Sequence, residues 1–241
     1  MKKPIIRALC RVYKVGEDDL LGLLWLADES RKDGWWQSYR DAIFANVDLF
    51  IGLEQAARRI TSFQLTLLPG LVQTADYRRA VARTHVPALT DEEIDRHVEL
   101  LTKRQERLRE SGEQFSLHVL LSEAALRHAI GGANIMATQL RHLIRLSHLP
   151  NITIRIVPLT VGCYLGLDVG PFVLLEFPEH VNPALTEPPV IYIEGYTGAL
   201  YLDKPDEIGR YRAALSTIEN AALNQSESRA LLLETAEEYE A

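Results

Sequence analysis

Four glutamates sit inside apolar stretches of the chain: Glu54, Glu123, Glu176 and Glu194. Burial raises the pKa of a carboxyl group, so each is a candidate for acid–base work. Glu54 has Arg58 four residues on and Arg104 further along the chain. An internal ion pair accounts for it without catalysis. Tyr164, Asp168, Tyr192 and Tyr196 gather around a glycine-bearing loop and its adjacent strands. Hydroxyls that rim an apolar pocket suit a small ligand, and plain core and rim packing explains them equally well. Trp25, Trp35 and Trp36 form an aromatic group, read either as a wedge between segments or as a stacking surface. The run from Leu67 to Thr74 is unusually apolar for a turn, which suits a buried loop or the wall of a groove.

These residues give two overlapping sets. If the chain catalyses a reaction, the carriers are Glu54, Arg104, Tyr164 and Glu194. If it binds a small molecule, the contacts are Trp36, Gln73, Tyr164, Asp168, Phe172 and Tyr192. The recurrent catalytic signatures are missing: no GxxxxGK[ST], GxGxxG, GxSxG or HExxH occurs. Seven histidines are scattered, and no pair has the spacing of metal ligands. Neither a metal nor an organic cofactor is expected.

The elements that must position these groups can be read from periodicity. Apolar residues at helical spacing predict helices over 5–14 and 17–32, then 48–58, 75–84, 90–109, 134–148, 205–223 and 227–239. A short helix after Ser122 runs to Ile130. Thr90-Asp91-Glu92-Glu93 is a capping box. Thr74 or Asp76, Asp203 and Ser226 are the expected caps of the helices that follow them. Alternating patterns predict strands over 60–67, 115–121, 152–157, 172–177, 190–194 and 199–202, with 158–170 as loop. The later strands succeed one another without a helical crossover. That predicts an α+β fold, its sheet mixed or mostly antiparallel and flanked by helices, with a small N-terminal helical appendage.

Composition narrows the function classes. Of 241 residues, 47% are hydrophobic and 24% charged, as in an ordinary globular chain. No apolar run reaches the ~18 residues of a membrane span, and no signal peptide is readable. Two cysteines, Cys10 and Cys163, make no disulfide framework, so a cytoplasmic setting is expected. The net charge is -7 and unevenly spread: residues 158–241 carry 4 basic and 14 acidic residues, the preceding ones 22 and 19. An acidic C-terminal third repels a phosphate backbone, so direct nucleic-acid binding is not expected.

Several stretches carry a resemblance. They are Gly34-Trp35-Trp36 with Tyr39, Leu53-Glu54, and Leu68-Pro69-Gly70-Leu71-Val72-Gln73-Thr74. Further on come Arg104-Gln105, Glu123-Ala124-Ala125-Leu126-Arg127, Pro150-Asn151-Ile152-Thr153-Ile154, Gly166-Leu167, Pro171-Phe172 and Tyr192-Ile193-Glu194. Over about residues 35–235 the chain resembles the C-terminal domain of actinomycete antitoxin-like transcriptional regulators. In that family a lambda-repressor-like helix-turn-helix precedes a large second domain. Residues 4–32 resemble the end of that first module and its linker helix, without the helices that would enter a major groove. The resemblance therefore implies a division into a 1–34 remnant and a 35–241 effector or partner-binding domain. Family members tend to carry a histidine before Gly166-Leu167, where this chain has Gly162-Cys163-Tyr164-Leu165. That departure implies a more apolar and aromatic pocket.

The reading that follows is a ligand- or protein-binding regulatory domain lacking DNA-binding helices. Its expected partner is a small apolar ligand or a small partner protein. The alternative is a stand-alone homologue repurposed in secondary metabolism as a cyclase or isomerase acting on an apolar small molecule. A homodimer built on the leucine-rich C-terminal helices is a third possibility.

Overall fold

Three parallel strands, joined by two helical crossovers, share one sheet with a three-stranded antiparallel meander. The computed structural model describes residues 34–42, 47–109, 115–180 and 186–241, with 7, 10, 12–13, 15–16, 20 and 24. The helices expected over 5–14 and 17–32, and Trp25, thus lie largely outside the described residues. The strands are β1 (Arg59–Gln64), β2 (Ser116–Ser122), β3 (Ile152–Val157), β4 (Phe172–Glu176), β5 (Val190–Gly195) and β6 (Gly198–Leu202). Their order is β3-β2-β1-β4-β5-β6. β1, β2 and β3 run parallel, and β4, β5 and β6 antiparallel. The fold is therefore α+β with a mixed sheet.

The helices are α1 (Val47–Ala56), α2 (Ala75–Ala82), α3 (Asp91–Gln105), α4 (Ala124–Arg127), α5 (Ala133–Leu146), α6 (Leu165–Val169), α7 (Pro205–Ala221) and α8 (Gln225–Glu240). Thr74 caps α2, and Thr90 with Glu93 forms the expected capping box on α3. α3 tightens into a 3-10 turn over Glu106–Arg109. Two expected caps differ. Lys204, not Asp203, holds the N-cap of α7 without a side-chain bond, and Pro205 follows it at the first helical position. Asn224, not Ser226, caps α8, because it stands three residues before Glu227 and completes a capping box with it. The 158–170 loop contains two short helical turns, Leu159–Val161 and α6, closed by Gly162 (φ 73) and Gly170 (φ 76). Only glycine enters that region without strain.

Strand alternation sends side chains to two faces. On the first face Ile60, Val119, Ile154 and Leu175 meet α1, α3, α5 and α8 through Ile51, Leu100, Leu140 and Leu232. On the second face Phe63, Leu120, Phe172 and Leu174 meet α7 through Ile208 and Ile218. Leu232 and Ala236 of α8 are fully buried within the chain. Leu233 remains exposed.

The second face also carries two polar groups on β2 and β3. Arg155 ends α7 by donating to the carbonyls of Glu219, Ala222 and Leu223 at 2.7–2.9 Å. Beside it His118 Nδ1 lies 3.2 Å from Glu219 Oε1. Burial and the guanidiniums of Arg155 and Arg59 outweigh that carboxylate and lower the His118 pKa to about 4. The contact is thus one between a carboxylate and a neutral ring. An unfolded histidine takes its proton near pH 6.5, so acid stabilises the unfolded chain first. Above that pH His118 has no effect. Between pH 6.5 and about pH 5 it removes about 2 kcal/mol of stability, at ~1.4 kcal/mol per pH unit. Urea denaturation at both pH values should show this loss in the wild type and a correspondingly smaller one in His118→Gln.

Candidate functional site

The richest gathering of polar side chains lies on the first face, where α1 packs on Tyr192 of β5 and α3 brings Arg104 to α1. α1 sets Phe50 and Glu54 one turn apart, both buried. α3 sets His97 and Arg104 seven residues apart, which places them on one side of the helix. Arg104 donates through Nε and Nη2 to the two oxygens of Glu54, at 2.7 and 2.8 Å. The Glu54 side chain is 4% exposed, so this is a forked ion pair removed from solvent. Burial works against the guanidinium charge, yet Glu54 outweighs it, helped by Glu194, and the Arg104 pKa is raised.

Arg104 anchors an aromatic stack. Its guanidinium lies over Phe50, which stacks on Tyr192 at 4.2 Å, and Tyr192 packs on Tyr201 at 5.2 Å. Burial and then Glu194 push the Tyr192 hydroxyl pKa well up, so it stays protonated.

Arg104 also presses on the 68–74 loop. A Cβ on Gly70 would stand 3.1 Å from Arg104 Nη1 and 3.2 Å from Nη2. Buried amides complete the loop. Gln105 Nε2 donates to Gln73 O at 2.7 Å and Gln139 Nε2 to Val72 O at 2.8 Å. Gln139 Oε1 accepts from Thr74 N at 2.6 Å, and Gln73 Nε2 donates to Leu68 O at 2.7 Å. Leu68 N donates to the Tyr77 hydroxyl. This explains how an apolar turn stays buried: neighbouring side chains satisfy its backbone.

Above this centre lies a second guanidinium. Arg78 of α2 donates to His97 Nδ1 at 3.2 Å, which fixes the His97 proton on Nε2. Burial and Arg104 lower the Arg78 pKa, with Glu194 partly offsetting them. His85 stacks parallel to His97 at 6.1 Å, and burial and Arg78 hold its pKa below the usual histidine range. Glu194 is exposed at the end of β5 and pairs with neither arginine within 4.0 Å among the described residues.

The expected site residues divide between the two faces. Glu54, Arg104, Tyr192 and Glu194 do come together. Gln73 is buried and staples the loop. Trp36 packs on Gly52 of α1. Tyr164 and Phe172 lie on the opposite face, where Tyr164 meets Phe63 edge-on at 6.3 Å and Phe172 meets Tyr211 at 5.0 Å. The Tyr164 hydroxyl is buried without a hydrogen-bond partner. Burial raises its pKa, and the Ser122 hydroxyl nearby tempers the rise. Asp168 is exposed and stands apart. The sheet thus separates the six expected ligand contacts, and it removes Tyr164 from the other three candidate catalytic groups.

Arg78, His97, Gln105 and Gln139 were not anticipated. The seven-residue step from His97 to Arg104 was the available signal. An open groove of about 400 Å³ between α5 and α8, lined by Ile144, Arg145, His148, Arg229 and Leu233, was also not foreseen. Among the described residues no group of three or more His, Cys, Asp or Glu gathers to hold a metal, and no helix is long and apolar enough to cross a membrane.

Fold and site together define a mixed-sheet α+β domain built over a buried, ion-paired polar centre. The family described as Domain of unknown function (DUF5753) matches residues 47–234, and the chain belongs to it. Comparison with curated proteins and with solved structures returns no match.

Removing Glu54 leaves the Arg104 charge buried and unpaired. Glu54→Ala should cost about 3–5 kcal/mol. Gly70→Ala, which crowds a guanidinium that cannot move aside, should cost about 1–2 kcal/mol. Urea denaturation checks both, and a loss below about 1 kcal/mol in Glu54→Ala would show the pair to be dispensable.

Proposed function

We propose that the chain is the ligand- or partner-binding regulatory domain of an antitoxin-like transcriptional regulator. The observation that carries this reading is a continuous physical link. The two helices that hold the Glu54–Arg104 centre also hold the 3-10 segment Trp35–Ala42, which leads in from the N-terminal residues. Arg96 of α3 donates to Ser38 O at 2.7 Å, and its guanidinium lies 4.6 Å from the Tyr39 ring centre. Trp35 meets Trp36 and Tyr39 edge-on. A change of occupancy at the centre would shift α1 or α3, and the tryptophan segment would follow.

The acidic C-terminal third supports the absence of duplex binding. The cyclase or isomerase alternative draws less support, because its four groups stand on two faces of the sheet. The test is retention of DNA by the purified chain at roughly 0.15 M salt, where the Debye length is about 8 Å. No promoter fragment should be retarded. Sequence-specific retention would overturn the reading.

A further inference from the structure

Resting on the partner-binding half of that reading, we propose that the open groove between α5 and α8 seats an acidic amphipathic helix of a partner protein. Ile144 and Leu233 receive its apolar ridge, and Arg145 and Arg229 its carboxylates.

α5 carries two lengthwise stripes. Met136, Leu140 and Leu143 are fully buried in the first core. Arg141, Ile144, Arg145 and, just past the helix end, His148 follow i, i+3, i+4, i+7 spacing on another side and open on the groove. α8 lies antiparallel to α5: Glu240 near its end meets Arg141, and Arg229 near its start meets Ser147. From α8, Ala230 and Leu233 complete an apolar floor, and Leu233 is 40% exposed. An apolar strip left open between two helices, in a groove of about 400 Å³, suits the anchoring side chains of a third helix.

Charge selects the partner. The lining holds three arginines and no carboxylate. Arg141 is already paired, its Nε and Nη2 donating to Glu240 at 2.6 Å each. Arg145 is exposed, and Arg229 uses one donor on Ser147 O at 3.2 Å. Among the described residues no carboxylate comes within 4.0 Å of either. The helix dipole accounts for one cation at the end of α5, not for a guanidinium on each wall of an apolar strip. Arg229 is moreover one of only four basic residues beyond position 157, so it belongs to no general basic surface.

The shape and the surroundings narrow the class further. A small ligand needs ~70–90% of its surface enclosed, and this groove is open to solvent. A helix brings the missing wall itself. An extended polyanion is repelled by Glu234 and Glu237, exposed on α8 beside Leu233. A helix can set its carboxylates at the two arginines alone.

The test is titration of the full chain with a helical peptide that has leucines at i, i+4 and i+7 and glutamates beside them. It is followed by NMR at the methyl groups of Ile144 and Leu233. The peptide should move both residues' signals saturably, and added salt should weaken it. Glutamine in place of its glutamates should weaken it about tenfold. A peptide of the same composition with dispersed leucines should leave the methyls in place. Arg145→Glu and Leu233→Lys, both at exposed positions, should each weaken binding about tenfold while keeping the urea midpoint. Methyl signals that ignore millimolar peptide overturn the proposal, as does equal affinity for the glutamine peptide or unchanged affinity in both folded variants. Single-stranded DNA that competes equally well would make the groove a nucleic-acid patch, and a dimer split by Leu233→Lys would seat a second copy there. Either result also overturns it. Failure here leaves the DNA-retention result standing. Retention of a promoter would remove the regulatory reading while a peptide response at Leu233 survived.

Discussion

A carboxylate and a guanidinium taken out of water together are the constraint on which this domain is built. Either ion alone would be strongly unfavourable in the interior, so Glu54 and Arg104 must meet, and in forked geometry. That requirement fixes the approach of α1 to α3. It sets the guanidinium against the 68–74 loop, where only a glycine at position 70 leaves room. It also sets the Arg104 charge beside the Phe50–Tyr192 stack and within reach of Glu194 and Arg78. Packing, loop conformation and local electrostatics at the site share one cause.

The mixed sheet separates two chemistries. On the first face, amide side chains and arginines fill the space between helices and strands, and nearly every polar atom of the 68–74 loop has a partner. On the second face, aromatic packing of Phe63, Phe172 and Tyr164 surrounds a buried hydroxyl, and Arg155 closes the end of α7. A ligand that needs charge recognition suits the first face, and the tryptophan segment touches the helices of that face alone among those carrying the centre.

Local pattern made most of the architecture legible. β3 is found over 152–157 as the alternation of ITIRIV predicts, and the Thr90 capping box marks the start of α3. The Glu54–Arg104 pair could be suspected because a glutamate amid apolar residues needs a partner. Its forked geometry could not be read, since it depends on a contact 50 residues apart. Strand direction was legible in outline, as a sheet mixed or mostly antiparallel. The helical crossovers after β1 and β2 make half of the sheet parallel, while the uninterrupted run of later strands pointed to antiparallel pairing. Tyr164 and Tyr192 looked like neighbours because both flank the glycine-bearing loop, yet strand register sends them to opposite faces. Asn224 outcompeted Ser226 as a cap because the glutamate three residues on completes a box. Arg78 carried no local signal, because its role arises only where α2 packs on α3.

Native-state hydrogen exchange in wild type and Glu54→Gln tests the keystone claim most directly. If the ion pair organises the centre, the amides of Val72, Gln73 and Thr74 should exchange about tenfold faster or more in the variant, a local loss of ~1.4 kcal/mol or greater. Those of Val119 and Ile154, in the parallel strands, should hold their protection. Unchanged exchange in the 68–74 loop, or equal acceleration throughout the sheet, would contradict the account.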